Sequence, residues 1–219
     1  MRKIIPHKIL PATFFFLVAI LQFIYLIFLF RAAFLVGWPW WIALLIIIQT
    51  LLILLFNLLI GFVYLRREEF KVQAKGFLER YFPLLVVLAF LFFNFWNGLS
   101  KIFGEKLFIL GSVISILGLT LAITSLFYLW RSFSMMIEAR TLVTKGPYRL
   151  IRHPLYLGEI LGLLGVTLVR FHWSKLIIFG LLLGLIAFRA LREEKKLQET
   201  IPAYRRYRKK TGFLWPKVG

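Results

Sequence analysis

Residues 142–158 read LVTKGPYRLIRHPLYLG, a run of polar, aromatic and helix-breaking residues set between two apolar stretches. Gly146 and Pro147 make a turn, because glycine tolerates positive φ and proline fixes its own. Pro154 suits the first turn of a helix, where its missing N–H costs nothing. Between them stand Tyr148, Arg149, Arg152 and His153, polar groups gathered where an apolar helix begins. A plain connector between two membrane helices needs none of this. The stretch therefore reads as one wall of a binding site at a membrane surface.

The surroundings of that wall are hydrophobic. Of the 219 residues 61% are apolar, against about 45–50% in soluble domains. That composition marks an integral membrane protein. Cysteine is absent, which excludes disulfides, thiolate nucleophiles and cysteine-ligated zinc. All nine acidic residues are glutamate. His7, His153 and His172 show no metal-ligand spacing, so no metal centre is expected.

Taken in order, the chain alternates apolar spans with charged loops. An apolar run over residues 10–30 is too long for a signal-peptide core and reads as a retained span. Trp38, Trp40 and Trp41 follow, placed like an interfacial aromatic belt. A second span covers about 41–65, a basic loop 66–80, and a third span about 82–99, where Asn94 and Asn97 are expected to bond neighbouring helices. The fourth span covers about 107–130. Residues 154–169 supply only 16 positions, about 24 Å of helix. Residues 170–175 turn the chain, and 176–188 return it in 13 apolar residues. Neither half comfortably fills a hydrocarbon core of about 30 Å. The expectation is a tight hairpin whose second helix runs on past Arg189 into water. Gly158, Gly162 and Gly165 fall in its first half; they do not fit a dinucleotide fingerprint and read as helix-packing glycines.

Charge sets the expected orientation. The N-terminus, the 66–80 loop, the 131–153 loop and the tail hold 23 of the 28 basic residues, and the three opposite loops hold five. Six spans with both termini cytoplasmic satisfy the positive-inside rule at every loop. The net charge of +19 is thus explained by topology and by attraction to anionic lipid, so the bilayer and not nucleic acid is the expected partner. The fold class is an all-α, multi-pass membrane protein of about six transmembrane helices, with a C-terminal hairpin and a cytoplasmic helical tail. Residues 1–130 form the first part and 131–219 the site-bearing part.

The tail is the second polar element, with Glu193 and Glu194 just past the last apolar run and Tyr204 and Tyr207 three residues apart on one helical face. Because a hairpin returns the chain to its starting surface, His153 and Glu194 are expected to approach one another. Glu193 is expected to pair with Lys or Arg on a solvated face.

The combination of GPYRLIRHPLYLG, an apolar hairpin, REEKKL and AYRRYRKKTGFLWP resembles the integral-membrane methyltransferase superfamily. That superfamily includes the isoprenylcysteine carboxyl methyltransferases and the phospholipid N-methyltransferases. The resemblance covers about residues 131–216; the first three spans carry no matching motif. It implies S-adenosylmethionine as methyl donor, bound at the cytoplasmic face between the Arg-His-Pro element and the tail. It assigns cofactor contact to Leu142, Val143, Gly146, Tyr148, Arg152, His153, Pro154, Tyr156, Leu157, Glu194, Tyr204 and Tyr207, with Glu194 also catalytic. Arg131 and Arg189 resemble arginines that hold a carboxylate substrate, although arginines at membrane-helix ends also snorkel to the interface. The implied reaction is methyl transfer to a lipophilic or lipid-linked acceptor, foremost a carboxylate. A phospholipid or small amine is the alternative. A sterol-type reductase using NADPH shares the Arg-His-Pro-x-Tyr hairpin, and a scaffold that keeps the fold without activity is a further rival.

Overall fold

The computed structural model describes residues 6–66, 104–130, 142–169 and 171–217. Six α-helices lie among them: α1 (Pro6–Val36), α2 (Trp40–Arg66), α3 (Glu105–Leu129), α4 (Pro154–Val169), α5 (Trp173–Thr200) and α6 (Pro202–Lys210). The described residues contain no strand, only one isolated parallel bridge between Ile151 and Gly212. The third span, over 82–99, and Arg131 fall outside the described residues. Four helices are long and apolar enough to cross a membrane: α1 over Pro11–Leu35, α2, α3 and α5. α4 is shorter, and its bounds coincide with the apolar run 154–169.

Helices α1 and α2 form an antiparallel pair joined at Gly37, whose φ of 67° makes the turn. Asn57 Nδ2 donates to Gln22 Oε1 at 3.1 Å between them. Large apolar side chains of α1, among them Leu17, Phe23, Ile24 and Phe28, remain exposed. On a protein of this composition such a surface faces lipid.

The closest packing is between α3 and α4. Apolar side chains gain little by leaving lipid for one another, so small residues that admit backbone contact decide such interfaces. A Cβ on Gly158 would lie 2.6 Å from the Ala122 nitrogen and 2.7 Å from the Gly118 oxygen. One on Gly165 would overlap the Gly111 oxygen and the Ser115 nitrogen. Gly162 behaves differently: its Cβ would meet only the Leu119 side chain, at 3.7 Å. Of the three glycines expected to pack helices, two do so through their own missing Cβ. The third instead lets Gly118 of α3 approach its backbone nitrogen.

The opposite face of α4 carries Tyr156 and Leu163 against Leu182, Ile186 and Ala190 of α5, with Phe213 and Leu214 of the tail beside them. The turn between α4 and α5 is closed by His172, whose Nδ1 accepts from the Ser174 amide at 3.3 Å and so caps α5. α5 runs without interruption from this turn to Thr200, past Arg189 as the charge pattern required.

Candidate functional site

The wall begins at Gly146, whose φ is +59°. A Cβ there would strike the Tyr128 ring at 2.5 Å, so both backbone and space demand glycine. Residues Gly146–Arg149 form a single 3-10 turn, which throws Arg152 and His153 to the start of α4. The His153 carbonyl accepts the Leu157 amide at 3.0 Å, so His153 occupies the N-cap position of α4 and Pro154 its first turn. Leu142 and Val143, half-buried, lead into the turn, and Leu157 is half-buried on α4.

The tail closes over this segment. The Arg152 amide donates to the Gly212 oxygen at 2.8 Å and the His153 amide to the Phe213 oxygen at 3.2 Å. The Gly212 amide donates in turn to the Leu150 oxygen at 3.3 Å. Tyr207 of α6 fastens the other edge, its hydroxyl donating to the Tyr148 oxygen at 2.6 Å.

Within that enclosure the side chains converge on Glu194. Its Oε1 accepts from Arg152 Nε at 2.5 Å and lies 3.2 Å from His153 Nε2. Its Oε2 faces Arg208 Nε at 3.7 Å, too far for a good hydrogen bond. Arg152 is held from behind as well, since its Nη1 donates to the Thr211 oxygen and, at 3.3 Å, to the Arg208 oxygen. The His153 ring stacks on Tyr156, with centroids 5.4 Å apart, and meets the Phe213 ring edge-on at 4.7 Å. The guanidinium of Arg152 lies over Phe213 at 5.7 Å. Tyr204, 1% exposed, packs beside Tyr207 with ring centroids 5.9 Å apart.

Charge states follow from these contacts. Glu194 stands on the charged end of α5, beyond its apolar run. Burial opposes its ionisation, but hydrogen bonds from His153 and Arg152 outweigh that and hold its carboxyl down at about 2. Burial first, and the Glu194 charge second, push the Tyr204 phenol well above its ordinary value. Burial likewise pushes Tyr207 up to about 12, against the opposing hydrogen bond with Thr211. At neutral pH the site thus holds an ionised Glu194 carboxylate and protonated Tyr204 and Tyr207 phenols. Among the described residues the buried Tyr148 hydroxyl closes no hydrogen bond, and the Tyr204 hydroxyl faces Glu194.

Glu193 is not on a solvated face. It is half-buried, and its Oε2 accepts from the Tyr156 hydroxyl at 2.7 Å. Arg189, 6% exposed, lies over the other side of this pair, its guanidinium 5.2 Å from the Tyr156 ring centre. Further participants were not singled out from the sequence. Thr211, Gly212 and Phe213 dock across about 60 residues of chain, a pairing that no local pattern signals. Arg208 is one of many tail cations. Glu159 did carry a signal, as an ionisable residue inside an apolar helix.

A helical membrane protein with a charged, tail-covered side-chain cluster at one end of a short hairpin is what the geometry defines. Residues 99–203, a little under half of the chain, match the phospholipid methyltransferase family. The matched segment includes α3, the 146–149 turn, α4 and α5, the elements that carry Arg152, His153 and Glu194. The chain is also similar to the cobalt-zinc-cadmium resistance protein CzcN of Cupriavidus metallidurans. The two are 30% identical over 137 residues, 61% of this chain and 62% of that protein. It is 28% identical over 150 residues to the uncharacterized protein YpbQ of Bacillus subtilis, covering 61% of this chain and 86% of YpbQ.

Proposed function

We propose that the protein transfers a methyl group from S-adenosylmethionine to a lipophilic acceptor that reaches the site from the bilayer. The observation that supports this most is the Arg152–His153–Glu194 cluster, assembled where the hairpin returns to the tail inside the family-matched segment. Glu194 Oε2 lies 3.7 Å from Arg208 Nε, a spacing that leaves this oxygen able to accept from a ribose hydroxyl or the cofactor's ammonium. The Tyr148 hydroxyl, which has no hydrogen-bond partner among the described residues, offers one more donor. The aromatic faces of Tyr156, Phe213, Tyr204 and Tyr207 suit a cationic ligand. Backbone groups of Leu142, Val143 and Gly146 would serve the adenine or methionine part, with Pro154 and Leu157 forming the wall. When bound there, the cofactor supplies a methyl group on a positively charged sulfur. The protein's part is to align donor and acceptor and to exclude water, because in-line displacement depends on close approach. Arg189 would stand on the acceptor side of Tyr156. Incubation with labelled S-adenosylmethionine and lipophilic acceptors tests the activity; label is expected in an extractable lipophilic product.

We further propose six spans with both termini cytoplasmic, supported by the division of basic residues. Since the chain lacks cysteine, single cysteines at two sites report sidedness. Lys145 is exposed and so is Trp173, whereas Lys175 is buried and unsuited to labelling. Lys145→Cys is expected to label from the cytoplasmic side and Trp173→Cys from the other. Labelling of both from one side contradicts the topology.

A further inference from the structure

Arg152 stands just before α4, yet it meets the tail at four residues. Its amide donates to the Gly212 oxygen at 2.8 Å. Its Nη1 donates to the Thr211 oxygen and, at 3.3 Å, to the Arg208 oxygen. The guanidinium lies over the Phe213 ring at 5.7 Å. Nε is the donor that turns to Glu194, at 2.5 Å. With its side chain 10% exposed, Arg152 thus fills the seam between α5 and the tail.

The end of α6 explains why an arginine belongs there. The helix is nine residues long, and a helix that short is marginal in water on its own. Its last carbonyls have no donor within the helix. Donors come from beyond its end instead. The Thr211 amide and hydroxyl both reach the Tyr207 oxygen, at 3.2 and 2.9 Å. Lys217 Nζ reaches the Lys209 oxygen at 3.0 Å. Arg152 serves the Arg208 and Thr211 oxygens, and its charge also suits the negative end of the helix dipole. Thr211 and Lys217 belong to the tail itself, whereas Arg152 lies 56 residues before Arg208. It therefore joins the folding of α6 to the start of α4. Fraying of α6 would draw the Tyr207 hydroxyl off the Tyr148 oxygen and take Arg208 away from Glu194.

We propose that Arg152 is a positioning residue that caps α6 and latches the tail over Glu194, and that it retains the methyl donor through the tail. The resemblance gives Arg152 to the cofactor directly; most of the hydrogen bonds above give it to the tail. The role rests on donor binding at Glu194. Lysine at this position keeps a charge beside Glu194 but lacks the planar fork that spans a carboxylate and two carbonyls. The latch can also be opened from its far side. A Cβ on Gly212 would overlap the Trp215 oxygen, which is backbone. Gly212→Ala therefore shifts the residues paired with Leu150, Arg152 and His153 while leaving the Arg152 side chain intact.

Full-length Arg152→Lys, Gly212→Ala and the double variant are compared with the wild type in detergent. Limited trypsin digestion reads the tail at Arg205, Arg206, Arg208, Lys209 and Lys210, and calorimetry reads S-adenosylhomocysteine affinity. Each single variant is expected to be cut in the tail about tenfold faster or more, with the membrane helices intact. Each should also bind S-adenosylhomocysteine about tenfold or more weakly, the effect of one lost charge-assisted hydrogen bond. The double variant should be no weaker than the weaker single, because both changes open the same latch. Wild-type cleavage in Arg152→Lys would overturn the cap. An opened tail at unaltered affinity would overturn the latch. Affinity losses that add in the double variant would mean that Arg152 touches the donor itself, and would overturn it too. If Arg152→Lys does not fold, Gly212→Ala decides the latch alone by the same comparison. A wild type that binds no S-adenosylhomocysteine would overturn donor binding at Glu194 and its retention, and the cleavage rates would then judge the cap by themselves.

Discussion

Glu194→Gln is expected to weaken S-adenosylhomocysteine binding about 5–150-fold, the equivalent of about 1–3 kcal/mol for a buried polar contact. The amide keeps the shape of the side chain and removes its charge. Glu194 Oε1 is the shared acceptor for Arg152 and His153, and its side chain is only 6% exposed. Without the carboxylate, the Arg152 guanidinium, itself 10% exposed, loses its counterion in a space that water barely reaches. An uncompensated buried cation is costly, so the variant should also unfold at lower temperature. Arg152→Ala provides the complementary case, leaving Glu194 with His153 and the distant Arg208. Both variants are compared by calorimetry with S-adenosylhomocysteine and by thermal unfolding in detergent. A purely structural ion pair predicts the stability loss with unaltered affinity in the folded fraction. A cofactor contact predicts that affinity falls at temperatures where the fold is intact.

The second large effect belongs to the α3–α4 interface. Gly165→Ala is expected to destabilise the protein by about 1–3 kcal/mol or more, the usual cost of forcing atoms into a filled space. The added methyl would overlap backbone oxygen and nitrogen of Gly111 and Ser115. Backbone cannot swing aside as a side chain can, so the helices must separate. Gly158→Ala should behave in the same way, because Ala122 and Gly118 occupy the place of its Cβ. Gly162→Ala is the control. Its methyl would touch Leu119 at an ordinary 3.7 Å, and alanine is favoured over glycine in a helix by about 1 kcal/mol. It should be neutral or mildly stabilising. The effect reaches the site because α4 carries Arg152 and His153 at its start, so the Gly165 and Gly158 variants should also bind cofactor analogue less tightly.

These expectations draw unequally on sequence and structure. The hairpin was legible because its apolar runs are short, bounded by proline and charge, and separated by a single turn. Two ends joined by such a hairpin have to lie together on one surface, which is why His153 and Glu194 could be paired before any coordinates. The glycine face of α4 was legible from small residues at helical spacing. Which glycine needs its missing Cβ was not, since that depends on the exact height of α3 against α4. The partner of Glu193 was not legible either. Adjacent glutamates on a charged helix look alike in sequence, and only the rotation of α5 shows that one meets Arg152 and the other Tyr156. The docking of Gly212 on Ile151 is a contact between distant residues without periodicity. The arginine pair suggested by resemblance is now divided, because Arg189 is seen beside Tyr156 while Arg131 lies outside the described residues.

The cluster of Arg152, His153 and Glu194 under the tail is proposed as the site for S-adenosylmethionine. Isothermal titration of the purified protein with S-adenosylhomocysteine and, separately, with NADPH tests it most directly. Saturable one-to-one binding of S-adenosylhomocysteine is expected, and none of NADPH. Binding of NADPH with no heat from S-adenosylhomocysteine would contradict it and favour a reductase on the same hairpin.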